Sequence, residues 1–149
     1  MASKTKKTVL LSVLGLVLIA AVIGYNLYNK KHFSVETATP AAEISAADLH
    51  KTFATDTTLA KNKFIGDEVN HKVIQVSGEV SAIEKNQLQH VVIKLKTEME
   101  DAFINCEMEG KADNISVGKN ITLRGVCSGY LSDFGIPGDV NLTRCFITK

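Results

Sequence analysis

Three cysteines, four histidines and 16 acidic residues are the side chains of this 149-residue chain that could do nucleophilic, metal or acid–base chemistry. Cys106, Cys127 and Cys145 form no CxxC pair, so neither a zinc ribbon nor a thioredoxin-like redox couple is indicated. Their odd number leaves at least one thiol without an intramolecular partner. His32, His50, His71 and His90 are scattered, with no HxH or HExxH spacing. Asp48 and His50 are two apart on a predicted helix, where i and i+2 point to different faces. No metal site is therefore expected, and no cofactor. "EMEDAF" is acidic through Glu98, Glu100 and Asp101, but it reads as a turn between strands. No Gly-rich phosphate loop, GxSxG elbow or carboxylate pair with an acid–base division occurs. No catalytic residue set emerges, and the chain is expected not to be an enzyme.

Charge divides the chain more sharply than any motif. Five of the 17 basic residues (Lys4, Lys6, Lys7, Lys30 and Lys31) precede Phe33, which leaves 12 against all 16 acidic residues, a net of −4. Proteins that grip phosphates without regard to sequence draw most of their affinity from a surplus of Lys and Arg that releases counterions. The domain after Phe33 lacks that surplus, which weighs against plain nucleic-acid binding.

The elements that would position a site begin with "TVLLSVLGLVLIAAVIGYNLYNKK", which is uncharged from Thr8 to Asn29. Val9 to Tyr28 would span about 30 Å as a helix, the thickness of a bilayer's hydrocarbon core. Lysines flank both ends, and Tyr25 and Tyr28 sit where amphipathic rings favour the interface. Residues 1–31 are expected to be an uncleaved signal-anchor, with the transmembrane helix at about 9–28. The apolar run is longer than the core of a usual signal peptide, and Val22-Ile23-Gly24 is a poor cleavage site beside A-x-A. No cysteine is near enough for a lipoprotein anchor. Three lysines before the span against two after it place the domain on the extracytoplasmic, periplasmic side. Residues 32–43, "HFSVETATPAAE", read as a linker.

Residues 44–149 form the domain. Ser45 and Asp48 have the capping-box spacing, and Ile44, Leu49, Phe53 and then Leu59 or Ala60 form a stripe that predicts a helix from Ala46 to about Lys61. Beyond it the period falls to two. "KVIQVSGEV" sets Ile74, Val76, Gly78 and Val80 on one face, and "HVVIKLK" sets Val91, Ile93 and Leu95 against Lys94 and Lys96. "AFINCEM" sets Ile104, Cys106 and Met108 against Phe103, Asn105 and Glu107. "NITLRGVC" sets Ile121, Leu123, Gly125 and Cys127 against Thr122, Arg124 and Val126. "VNLTRCFI" is the fifth strand, its alternation interrupted around Arg144 as by a bulge. Five short strands with one buried face each, two of them holding a glycine, predict a mainly β fold, a small coiled barrel with an accessory helix.

"KVIQVSGEVSAI", "INCEM", "ISVGKNITLRGVCSGYL" and "VNLTRCFI" resemble the tRNA_anti-like family, OB-fold domains named for their similarity to tRNA-anticodon-binding domains. The resemblance implies a five-stranded OB barrel with an N-terminal accessory α-helix, frequent in bacterial envelope proteins, and no particular activity. In OB barrels the usual ligand surface is the outer face of the second and third strands with two flanking loops. Here that implies Lys94, Lys96, Phe103, Asn105 and Glu107 with the loops "EKNQLQ" and "SGYLSDFGIPGD", the second carrying Tyr130 and Phe134, whose alternative role is to plug the barrel mouth. Single-stranded nucleic acid would need more stacking aromatics and fewer acids than this face offers. In such a barrel the fourth and fifth strands are antiparallel neighbours, so Cys127 and Cys145 are candidates for a disulfide, with Cys106 an alternative partner for Cys145. The sequons at Asn114, Asn120 and Asn141 are expected to be idle in a bacterial envelope. The expected function is that of a membrane-anchored binding or scaffolding module, held by its helix, for a protein, an oligosaccharide or a small solute. A nucleic-acid-binding domain facing the cytoplasm is the less favoured reading.

Overall fold

The computed structural model of the chain describes Val9, residues 15–25, Tyr28 and residues 33–148, apart from 68–70 and 133–135. The chain divides into two units, Met1–Phe33 and Ser34–Lys149. In the first, residues 15–25 are helical and Leu16 to Tyr25 are exposed. No helix among the described residues is long and apolar enough to cross a membrane. The anchor expected at 9–28 includes residues 10–14, 26 and 27, which lie outside the described ones.

The second unit is a closed barrel. Its elements are β1 (Ala42–Ser45), α1 (Ala46–Thr55), α2 (Thr57–Phe64), β2 (Val73–Lys85), β3 (Val91–Lys96), β4 (Phe103–Met108), β5 (Asn120–Tyr130) and β6 (Val140–Ile147). Strand order is β1-β2-β3-β4-β6-β5, and β2 pairs again with β5 to close the ring. Closure needs one strand long enough to serve two neighbours, and β2 does so: Val73–Glu79 pair with β5, and Val80–Lys85 with β3 across a bulge at Val80/Ala82. That bulge bends the strand around the barrel. The five strands read from the period-two pattern are β2 to β6, and their inward residues, among them Ile74, Val76, Ile93, Leu95, Ile104, Cys106, Leu123 and Leu142, are almost wholly buried.

The structure departs from the expected elements at two places. The single helix expected from Ala46 to about Lys61 is two. Asp56, in extended backbone (φ −146°, ψ 93°), stops α1 and caps α2 by accepting from the Leu59 N–H at 2.9 Å. The Thr52 and Thr57 hydroxyls bond back to the carbonyls of Asp48 and Phe53, a habit that weakens a helix and explains a break here. Second, the stretch read as a linker at 32–43 is partly built into the domain. Val35 is fully buried, and Ala42 and Glu43 open β1, a sixth strand running parallel to β2. Of the two residues offered for the late apolar stripe position, Ala60 is the one that fills it, and Leu59 is exposed.

Helix α1 begins where expected, with Ser45 Oγ accepting from the Asp48 N–H at 3.1 Å. Its Ala46, Leu49 and Phe53 are buried against the barrel. A Cβ at Gly78 would stand 2.9 Å from Ala46 Cβ, so the glycine lets the helix start rest directly on β2.

A polar groove on the outer barrel wall

Alternation along β3 and β4 fixes what faces outward. Their antiparallel register sets Lys94 beside Asn105, Lys96 beside Phe103 and Val92 beside Glu107. The parallel pairing of β4 with β6 adds Asn141 beside Asn105. Lys94, Asn105, Glu107, Asn141, Thr143, the end of β2 (Glu84 and Lys85) and Asn86 just beyond it line a groove of about 320 Å³. Lys96 and Phe103 share this outer wall.

Its floor is a hydrogen-bond network. Asn105 Nδ2 donates to Asp139 Oδ2 at 2.9 Å and to Asn141 Oδ1 at 3.1 Å, while Asp139 Oδ1 accepts from the Phe103 backbone N–H at 2.8 Å. Asn105 Oδ1 is buried and accepts no bond, the one such side-chain atom among the described residues. A buried acceptor left empty is destabilising unless something donates to it. At the rim, Asn86 Nδ2 donates to Glu107 Oε1 at 3.1 Å, and His90 Nδ1 lies 2.6 Å from the same oxygen. Asn86 is held in turn by its own turn, its Oδ1 accepting from the N–H groups of Leu88 and His90.

Three cations of this wall are matched by carboxylates, while Lys85, exposed at the end of β2, has no ion pair among the described residues. Lys94 Nζ lies 3.0 Å and 2.9 Å from the two oxygens of Glu84, and 5.8 Å from the centre of the Phe103 ring. Lys96 pairs with Glu79, and Arg144 Nε with Glu109 at 3.1 Å. Arg144 sits at φ 55°, the interruption foreseen in the last strand. Such half-exposed pairs contribute little to stability. Their consequence is electrostatic: the positive charge of Lys94, Lys96 and Arg144 is already countered.

Five of the seven residues proposed from the resemblance thus meet on one surface. Tyr130 does not join them. Its ring stacks on Phe53 (centroids 5.4 Å apart) and meets His50 edge-on at 6.2 Å, so it packs the barrel end against α1. His50 is itself buried, with Nε2 3.0 Å from the Gly138 carbonyl oxygen. Phe134 lies outside the described residues. Glu84, Asn86 and Asp139 also belong to the site and lie in the two flanking loops expected to border it, whereas His90 and Asn141 belong to it and were not foreseen. Asn141 had a usable signal, since it faces outward on the strand that closes the barrel beside Asn105.

The disulfide expected between Cys127 and Cys145 is corrected. All three cysteines are buried free thiols. The β5–β6 register sets Cys127 opposite Leu142 rather than Cys145. Cys145 Sγ instead occupies the space left by Gly125, where a Cβ would stand 2.6 Å from it. Burial raises the Cys127 thiol to about 11. A hydrogen bond with Cys106, then burial, raise Cys145 well above the ordinary thiol value. Protonated, buried thiols are poor nucleophiles and poor ligands. Among the described residues no group of three or more His, Cys, Asp or Glu side chains could hold a metal ion.

A closed five-stranded barrel with a polar groove on its second and third strands is an OB-fold domain. A profile of the family described as tRNA_anti-like matches residues 1–136, and the chain belongs to that family. No curated protein matches it. Among solved structures it is similar to a lipoprotein from Klebsiella pneumoniae subsp. pneumoniae whose name proposes nucleic-acid binding. The two share 14% identity over 71% of this chain and 91% of the other, with a TM-score of 0.48.

Proposed function

We propose that this OB domain is a non-enzymatic binding module of the bacterial envelope, held at the membrane by residues 1–31 with the domain on the extracytoplasmic side. Its groove on β3, β4 and β6 takes an uncharged polar ligand: an oligosaccharide, a polar small solute or the backbone of a protein partner. The observation that carries this reading is the pairing of Lys94, Lys96 and Arg144 with Glu84, Glu79 and Glu109 around a lining of amides. A phosphate backbone would have to break those pairs and would meet Glu107 besides. Amide and carboxylate oxygens with carboxamide N–H groups match the alternating donors and acceptors of hydroxyl or peptide groups.

The test is a pair of titrations on the full chain in detergent, one with neutral oligosaccharides and peptides, one with single-stranded oligonucleotides at about 50 and about 200 mM salt. A saturable neutral ligand whose binding Asn105→Leu abolishes is the expected result. Oligonucleotide binding that weakens steeply with salt, with no neutral ligand found, would reverse the proposal in favour of nucleic acid. Protease digestion of the domain in outer-membrane-stripped cells tests the topology, and protection until the inner membrane is breached would place the domain in the cytoplasm.

A further inference from the structure

A second groove, of about 550 Å³, runs along the outside of β1, the first half of β2 and β5, and shares no residue with the first. Its charged side chains are Glu43 from β1, Lys119 from the turn before β5, and Arg124 from β5. Arg124 differs from the lysines of the other wall. Its Nε–H donates to Gln75 Oε1 at 3.0 Å and Nη1 donates to the Ala38 carbonyl at 3.3 Å, both neutral acceptors. Gln75 stands directly opposite it in the β2–β5 register, so the amide fixes the guanidinium's orientation. Three of the five guanidinium N–H groups have no protein acceptor, and no carboxylate pairs with Arg124 among the described residues. The side chain is half-buried, where a cation without a counter-charge is least comfortable. Lys119 is likewise without an ion pair among the described residues.

We infer that this groove is a binding site for a small mono-carboxylate, with Arg124 as its anchor and Gln75 as the residue that positions the anchor. Two cations and one carboxylate give the groove a net charge of +1, which one carboxylate neutralises. A phosphate dianion would overshoot that charge and be repelled by Glu43. The planar guanidinium edge suits a carboxylate's two oxygens, and the Thr122 hydroxyl adds a donor on the same strand face. Ile147 offers a short apolar wall for the body of the ligand. This site is independent of the groove on β3, β4 and β6, so either can fail without the other.

The experiment is an NMR titration of the isotope-labelled full chain in detergent with sodium propionate, against sodium chloride at equal ionic strength and inorganic phosphate at pH 8. Saturable shifts at the amides of Gln75, Thr122 and Arg124 with propionate, and none with chloride, are expected. Arg124→Gln abolishes them. Lys119→Gln and Glu43→Gln, both at the rim, keep the test decisive if Arg124→Gln does not fold. The first should weaken binding and the second tighten it, each by roughly two- to five-fold, the range of one partly exposed charge. The opposite effects of removing two exposed charges would not follow from a merely structural role for Arg124. Shifts that chloride reproduces, phosphate binding as tight as propionate, or no tightening in Glu43→Gln would overturn the assignment.

Discussion

Replacing Gly125 by alanine tests whether the barrel core is built around the Cys145 sulfur. The added Cβ would lie 2.6 Å from Cys145 Sγ, 3.3 Å from the Thr143 carbonyl oxygen and 3.4 Å from Leu142 Cβ. Only the first of these is closer than real contacts allow, so the cost falls on the sulfur, which is fully buried. Overpacking of this kind destabilises by roughly 1–3 kcal/mol. Cys145→Ala alone removes a buried sulfur and its hydrogen bond with Cys106, for roughly 1–2 kcal/mol. In the double variant the new methyl group enters the space the sulfur has left. The two losses should then overlap, leaving a coupling of at least about 1 kcal/mol in the stabilising direction. The assay is urea unfolding of the three variants and the parent, followed by far-ultraviolet circular dichroism, with comparison restricted to variants of equal m-value. Additivity within about 0.5 kcal/mol would falsify the claim that the glycine is there for the thiol.

Alkaline titration gives a second check. An unfolded Cys127 thiol ionises around its ordinary value of 9.0, whereas the folded one holds its proton to about 11. Between those values the folded state binds more protons, so stability falls as pH rises, by roughly 1.4 kcal/mol per pH unit for this thiol and in the same direction for Cys145. Urea midpoints at pH 8, 9 and 10 should therefore decline more steeply in the parent than in Cys127→Ala, and parallel curves would refute the burial argument. Asp139→Ala strips acceptors from the Phe103 N–H and Asn105 Nδ2 and should cost roughly 2–3 kcal/mol. Its local mark is faster amide exchange at Phe103, and an unchanged rate would mean the carboxylate does not hold the groove floor. Asp56→Ala removes the cap of α2 and should cost about 1 kcal/mol with some loss of helical signal. A variant as stable as the parent would show that α2 is held by Ala60 and Phe64 alone.

The residues themselves specified much of this domain. Alternation of period two marks which side of each strand meets the core, because successive side chains point to opposite faces whatever the neighbours are. Ile93, Leu95, Ile104 and Leu123 were therefore assignable to the interior, and Lys94, Asn105 and Glu107 to the exterior, before any strand was paired. Ser45 capping α1 is equally local, one side chain reaching an N–H three residues on. Asp56 carried the same kind of signal for α2 and was masked by a helical stripe that continues across it. What no local pattern holds is which strands become neighbours and in what register. Asn141 and Asp139 reach Asn105 only because β6 lies parallel to β4, across sequence separations of 36 and 34. The register between β5 and β6 decided against the Cys127–Cys145 bridge, since it faces Cys127 with Leu142, three residues short of Cys145. Tyr130 left the proposed ligand surface for the same reason: its place depends on α1 docking against the barrel end, a contact made across the fold with Phe53 and His50. Charge showed the same division. Composition set the domain's negative sign, and only folding brought Glu84 to Lys94 and Glu79 to Lys96 while leaving Arg124 facing a groove with neutral partners, because an ion pair is a matter of distance between side chains that the chain order leaves apart.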